Sequence, residues 1–205
     1  MTLNDRNMVE PSTRRHEIWC DGTRIETIVT NEENIVEQWL SSTYALKQKV
    51  VGLDTEWMHV PKASTKKATM KVAILQLCVE DRCLIVQLFF MKNIPPSLQS
   101  FMMDASFVFV GVGVMNDISM LKKNYGLECN KGTDLVMLAK KRWPEKISSG
   151  SLKYLAKELV GLEMEKSKAV VTSDWKAKEL TEVQVKYACI DAYASFKIGK
   201  MVLSD

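Results

Sequence analysis

VVGLDTEW, residues 50–57, is an apolar run of strand-forming composition that gives way to two carboxylates, Asp54 and Glu56, one residue apart. In a strand, residues i and i+2 point to the same face, so both acids look the same way. Like charges held that close repel, and each is pushed toward its protonated form unless something positive sits between them. A divalent metal ion would supply that charge. Alone, a D-x-E reads more simply as a strand running out into a solvated acidic turn, so the meaning of 50–57 turns on the rest of the chain.

The 205 residues, 46% of them hydrophobic, can bury a substantial core and suit one domain over 1–205. A net charge of +3 permits an anionic partner such as nucleic acid without demanding one. The five cysteines (Cys20, Cys78, Cys83, Cys129, Cys189) are odd in number and never form C-x-x-C, and the only histidines are His16 and His59. Neither a disulfide framework nor a zinc site of usual spacing is expected, and the thiols read as reduced and mostly buried. The longest apolar run, Phe107 to Met115, is too short to span a bilayer. The expectation is a soluble, unsecreted, cytoplasmic protein without membrane contact, a nuclear one being the alternative.

Working outward, residues 1–12 are expected to fray. HEIWCDGTRIETIVT, residues 16–30, alternates on both sides of Asp21-Gly22, a hairpin-turn dipeptide. Thr30 and Glu33 make a T-x-x-E capping box for a helix with apolar Ile35, Val36, Trp39 and Leu40. After the strand ending in Asp54 and Glu56, polar residues 58–70 read as a connection. KVAILQLCV and CLIVQLFF, turned by EDR, then read as a hairpin. PPSLQSFMMD is a short helix opened by prolines, FVFVGVGV a buried strand, and NDISMLKKNY a helix ended near Gly126. Three helices follow, one with Asp134 as its cap and the last opened by a Thr181–Gln184 capping box. The order predicts an α/β fold, a mixed sheet of about five central strands flanked by helices.

Asp117 follows the buried strand at the start of a helix, where it could serve only the helix dipole. In YACIDAY on the last helix, Tyr187 and Asp191 stand at i and i+4 and share one face, on a stripe with Val183, Ala194, Ile198 and Val202 that reads as core. A buried unpaired Asp is costly, so Asp191 needs a partner, and a metal shared with Asp54 would serve. Tyr187 by itself is an ordinary core tyrosine.

Together these residues form Asp-x-Glu on a central strand, Asp after a later strand, and Tyr-x-x-x-Asp on a final helix. That set resembles the DEDD superfamily of 3′-5′ exonucleases, in its tyrosine branch, over roughly residues 30–203. VVGLDTEW, VGVGVMNDISML, GSLKYLAKELVG and LTEVQVKYACIDAYASFKI are most similar to the exonuclease domain of the Werner-type proteins, and the small plant stand-alone members that clear RNA fragments from silencing complexes are a further likeness.

The resemblance implies a ribonuclease H-like, DnaQ-like fold and a single-stranded nucleic acid substrate, with RNA mildly favoured over DNA. It also implies two Mg²⁺ or Mn²⁺ ions held by Asp54, Glu56, Asp117 and Asp191, with Tyr187 orienting or helping to deprotonate the attacking water. Oxygen donors without His or Cys suit those ions. Thr55, Trp57, Lys66, Lys67 and Asn116 are candidate nucleic-acid contacts. Trp57 and Trp175 could stack on bases or be buried, and Lys62, Lys66, Lys67 and Lys71 could meet phosphates or form a solvated loop. His59 reads as peripheral. A homo-oligomer joining basic surfaces, and protein partners in RNA silencing, complete the expectations. The rivals are a catalytically silent nucleic-acid-binding or scaffolding module on the same fold, and an endonuclease of ribonuclease H type.

Overall fold

Alternating apolar residues on both sides of Asp21-Gly22 build the first hairpin, β1 (Thr13–Cys20) and β2 (Thr23–Thr30), paired antiparallel from Thr13↔Thr30 to Cys20↔Thr23. Both turn residues take positive φ, +48° and +72°, as a two-residue turn matched to strand twist requires. The computed structural model describes residues 10–62, 65–165 and 168–204, apart from the side chains of 61–68 and 168. The expected fraying of 1–12 lies outside that range except at its end. There, Ser12 exchanges hydrogen bonds with Asn31, its N–H donating to Oδ1 at 2.7 Å and its carbonyl accepting from Asn31 N–H at 3.2 Å.

The chain continues through α1 (Glu33–Tyr44), β3 (Val50–Lys62), β4 (Thr65–Val79), β5 (Arg82–Val86), α2 (Pro96–Met103), β6 (Val108–Gly111) and α3 (Val114–Tyr125). Then come β7 (Gly132–Asp134), α4 (Leu135–Arg142), α5 (Leu152–Val160), the short α6 (Lys168–Val171) and the long α7 (Glu182–Leu203). The strands form one sheet in the order β1-β2-β5-β4-β3-β6-β7. β2 pairs with β5, β3 with β6 and β6 with β7 in parallel, while β1 and β4 run against their neighbours.

The mixed α/β architecture is as expected, with four local departures. The sheet has seven strands among the described residues, not about five, because the N-terminal hairpin joins it and the three-residue β7 extends the far edge. Residues 58–62 and 65–70, within the stretch read as a connection, are strand: β3 and β4 pair antiparallel as far as Lys62↔Thr65, so Asp54 and Glu56 lie inside β3 rather than at its end. Backbone pairing outweighs polar composition where both sides of a strand need not be buried. The Thr30–Glu33 box does not form. The N-cap is Glu32 with no side-chain cap, and Thr30 Oγ1 accepts from Glu32 N–H at 3.0 Å. Val183, expected in the core, is 62% exposed, whereas Ala194, Ile198 and Val202 are buried.

Two apolar layers flank the sheet. On one side α1, α2 and α3 close over Val51, Leu53, Leu75, Leu77 and the ring cluster of Phe101, Phe107 and Phe109. On the other, α7 lies across the strands with α5 packed beside it. Gly52 permits the close approach of α7, since a Cβ there would stand 2.0 Å from the Ala192 carbonyl oxygen and 2.6 Å from Phe196 N. All five thiols are free; Cys78, Cys83 and Cys189 gather under α7 with Thr27, whose hydroxyl donates to Cys189 Sγ at 3.1 Å. Burial pushes Cys78 up, which suits inert core thiols. No helix among the described residues is long and apolar enough to cross a membrane.

Candidate active site

β3 outruns its parallel neighbour. Pairing with β6 stops at Gly52↔Val110, whereas pairing with β4 continues to Lys62↔Thr65, so the β6 side of β3 is open from Leu53 onward. The chain leaving β6 turns through Gly113, at φ +70°, and starts α3 beside that opening. Asp134 fixes the turn. Its Oδ2 accepts from Gly113 N–H at 2.6 Å, while its Oδ1 caps α4 by accepting from Val136 N–H at 2.9 Å and Met137 N–H at 3.1 Å. The cap was legible in the sequence; the hold on α3 was not.

Asp117 therefore enters in the first turn of α3, buried at 7% exposure. The Thr55 hydroxyl donates to its Oδ1 at 2.5 Å, and Thr55 N–H donates to Asp54 Oδ1 at 3.0 Å. Thr55, proposed from sequence as a nucleic-acid contact, is itself buried and spends both donors on the two motifs. Burial pushes the Asp117 carboxyl up to about 6, the Thr55 hydrogen bond opposing it.

A register shift between Glu56 and Trp57 leaves Ala73 of β4 unmatched and re-aims the strand just after Glu56, which is buried. Trp57 is half-buried against the layer under α3, His59 is exposed, and Asn116 is exposed next to Asp117. The side chains of Lys62, Lys66 and Lys67 lie outside the described residues. Lys71 stacks its ammonium over the Tyr125 ring at 4.9 Å.

α7 supplies the remaining groups. Its predicted capping box forms, with Thr181 Oγ1 accepting from Gln184 N–H at 3.3 Å and Gln184 Oε1 accepting from Thr181 N–H at 3.0 Å. Asp191 is 3% exposed. Burial pushes the Tyr187 phenol well above its ordinary range, reinforced by the charges of Asp191 and Glu56, by a hydrogen bond to Asp191, and by Asp54. Residues of β3 and α7, more than 130 positions apart in the chain, thus act on one hydroxyl, which stays protonated and serves as a donor. The Trp175 ring packs on Tyr187 with centroids 6.0 Å apart and is 2% exposed, so of its two sequence readings the buried one holds.

Among the described residues no three carboxylate, imidazole or thiol groups stand close enough to form a ready cage for an ion. The donor set still fits a hard cation. Every candidate is a carboxylate, no thiol or imidazole competes, and three of the acids share the field at Tyr187 while the fourth is tied to Asp54 through Thr55. Uncompensated like charges stay apart, and a cation would draw them together. Sequence reasoning passed over Gln76, fully buried on β4 directly opposite Asp54. A polar residue inside an otherwise apolar strand was the available signal.

A mixed sheet in this order with helices on both faces is a ribonuclease H-like α/β fold. The fold matches that of ribonuclease D from Escherichia coli, an exoribonuclease involved in structured RNA processing, with a TM-score of 0.72 at 17% identity over 85% of this chain and 44% of that one. The chain belongs to the 3′-5′ exonuclease family, whose model matches residues 27–203. It is similar to a 3′-5′ exonuclease of Arabidopsis thaliana, 34% identical over 160 residues, covering 74% of this chain and 52% of the relative. Human exonuclease 3′-5′ domain-containing protein 2 is 32% identical over 151 residues, covering 71% and 24%. The chain thus spans about half or less of the length of these curated relatives.

Proposed function

We propose that the domain is a metal-dependent 3′-5′ exonuclease of the tyrosine branch, releasing nucleoside monophosphates from single-stranded nucleic acid. The observation that supports this reading is that the charges of Asp191, Glu56 and Asp54 all act on the Tyr187 hydroxyl, with Asp117 linked to Asp54 through Thr55. Asp54, Glu56, Asp117 and Asp191 would hold two Mg²⁺ or Mn²⁺ ions, which when bound supply Lewis acidity and counter-charge at the scissile phosphate. The chain's own parts are distinct. Thr55 fixes two of the carboxylates, and Tyr187, one helical turn from Asp191, would orient the attacking water or help to deprotonate it.

The reading extends to RNA over DNA, to self-association that joins weakly basic surfaces, to a cytosolic or nuclear setting, and to partners in RNA silencing, all supported by the resemblance of the motifs. Discrimination for RNA requires a contact to the 2′-OH. The decisive experiment incubates 5′-labelled RNA and DNA strands, and a circular single strand, with Mg²⁺, Mn²⁺ or a chelator. A descending ladder from the linear strands, an intact circle and no product in chelator are expected, and Asp54→Ala or Asp191→Ala should abolish the ladder while the protein stays folded. Cutting of the circle would replace the exonuclease reading with an endonuclease, and no cutting by the parent would leave a silent binding module.

A further inference from the structure

Gln76 stands in β4 directly opposite Asp54 in β3, so the two side chains leave the same face of the sheet, beneath α7. Directly opposed residues of antiparallel strands have Cβ atoms about 5 Å apart, within reach of each other's polar ends. Gln76 is 0% exposed, and neither its Oε1 nor its Nε2 has a hydrogen-bond partner. Around it the strands are apolar: Leu75 and Leu77 on the opposite face, and Ile74 and Cys78 along its own. A residue of similar shape without the amide, such as leucine or methionine, would fill this space at no desolvation cost. A buried amide left unpaired calls for a reason, and its neighbour across the strand pair supplies one.

We propose that Gln76 is a positioning residue for Asp54: its Nε2 donates to the Asp54 carboxylate when that carboxylate turns to hold a divalent cation. Asp54 is already restrained at one oxygen by Thr55 N–H on the chain side. A second donor from β4 would fix the carboxylate plane and thereby the direction in which its remaining lone pairs point. Groups standing behind a ligating carboxylate in this way typically alter metal affinity by about 10- to 100-fold. The glutamine thus pays with native-state stability in the cation-free protein for order in the loaded one. This inference rests on the metal-dependent reading of the same site, and it concerns binding of the cation rather than cleavage.

The test uses the intact chain with Gln76→Leu, and Gln76→Met as a second variant should leucine not fold. Mn²⁺ binding is followed by electron paramagnetic resonance, and thermal unfolding is recorded in chelator. The expected result is a variant that melts in chelator at or above the parental temperature, yet binds Mn²⁺ about 10- to 100-fold more weakly, with nuclease turnover recovered at high Mn²⁺. Parental Mn²⁺ affinity in either folded variant would overturn the proposal, and a lower melting temperature with that affinity intact would mark a structural glutamine bridged by buried water. The nuclease reading fails separately: a parent that binds Mn²⁺ but cuts nothing sinks the activity and leaves the role of Gln76 to be read from binding. A parent that binds no Mn²⁺ sinks both.

Discussion

The Thr55 hydroxyl donates to the Asp117 carboxylate at 2.5 Å, joining residues 62 positions apart in the chain and tying β3 to the first turn of α3. The same residue's N–H holds Asp54. Replacing Thr55 by valine keeps the shape and deletes the donor. A hydrogen bond to a charged group is worth about 1.5–3 kcal/mol, so Thr55→Val should lower the cleavage rate by roughly 10- to 100-fold, while Thr55→Ser should retain most of it. Equal rates for valine and parent would show that the bond has no bearing on the site.

Asp117 makes stability depend on pH in an unusual direction for a carboxylate. Its carboxyl titrates at about 6 in the fold against 3.8 in an open chain, because burial penalises the charge. A group raised in this way favours the fold fully below pH 3.8, and that contribution is lost as pH rises through about 6. Without divalent cation, Asp117→Asn should therefore match the parent near pH 4 and exceed it near pH 7, by on the order of 3 kcal/mol. Chemical denaturation in chelator at both pH values checks this, and a parallel pH response in parent and variant would contradict it.

Tyr187→Phe removes one oxygen and keeps the ring against Trp175. What the substitution deletes is the hydroxyl one helical turn from Asp191, the group assigned to the attacking water. Turnover should fall by about 10² or more, with Mn²⁺ titration and substrate affinity near parental. Retention of full turnover would make the tyrosine a packing residue.

Gly52→Ala should destabilise the protein by about 3 kcal/mol or more, because the new methyl meets backbone, Ala192 O at 2.0 Å and Phe196 N at 2.6 Å. Gly199→Ala, whose nearest conflict is the Val110 side chain at 2.5 Å, should cost less. The order of their unfolding midpoints is the measurement, and a reversed order would mean that α7 does not lie on β3 as described.

What the sequence disclosed follows from the range of the interactions involved. The shared face of Asp54 and Glu56, the Thr181–Gln184 box and the Asp134 cap are set by neighbours within a few positions, so pattern alone revealed them. The continuation of β3 to Lys62 was hidden because its support is the facing β4, not its own composition. β7 is three residues long and exists only through its pairing with β6. Thr30 failed as a cap because its hydroxyl is engaged at Thr13 and Glu32, partners that the T-x-x-E pattern does not contain. At the site, the acids could be named from spacing, but the bridge made by Thr55 and the amide behind Asp54 needed strand register.

Asp134 holds two helices by their first turns, one oxygen on Gly113 ahead of α3 and the other on Val136 and Met137 in α4. In a genetic screen for lost activity, position 134 would surface beside the four acids although it lies outside their cluster, and a chemist reading the hits would be tempted to count a fifth ligand. Thermal melting separates the two kinds of hit: loss of a true ligand leaves the scaffold intact, whereas loss of this carboxylate loosens the ends of two helices at once and carries Asp117 with them.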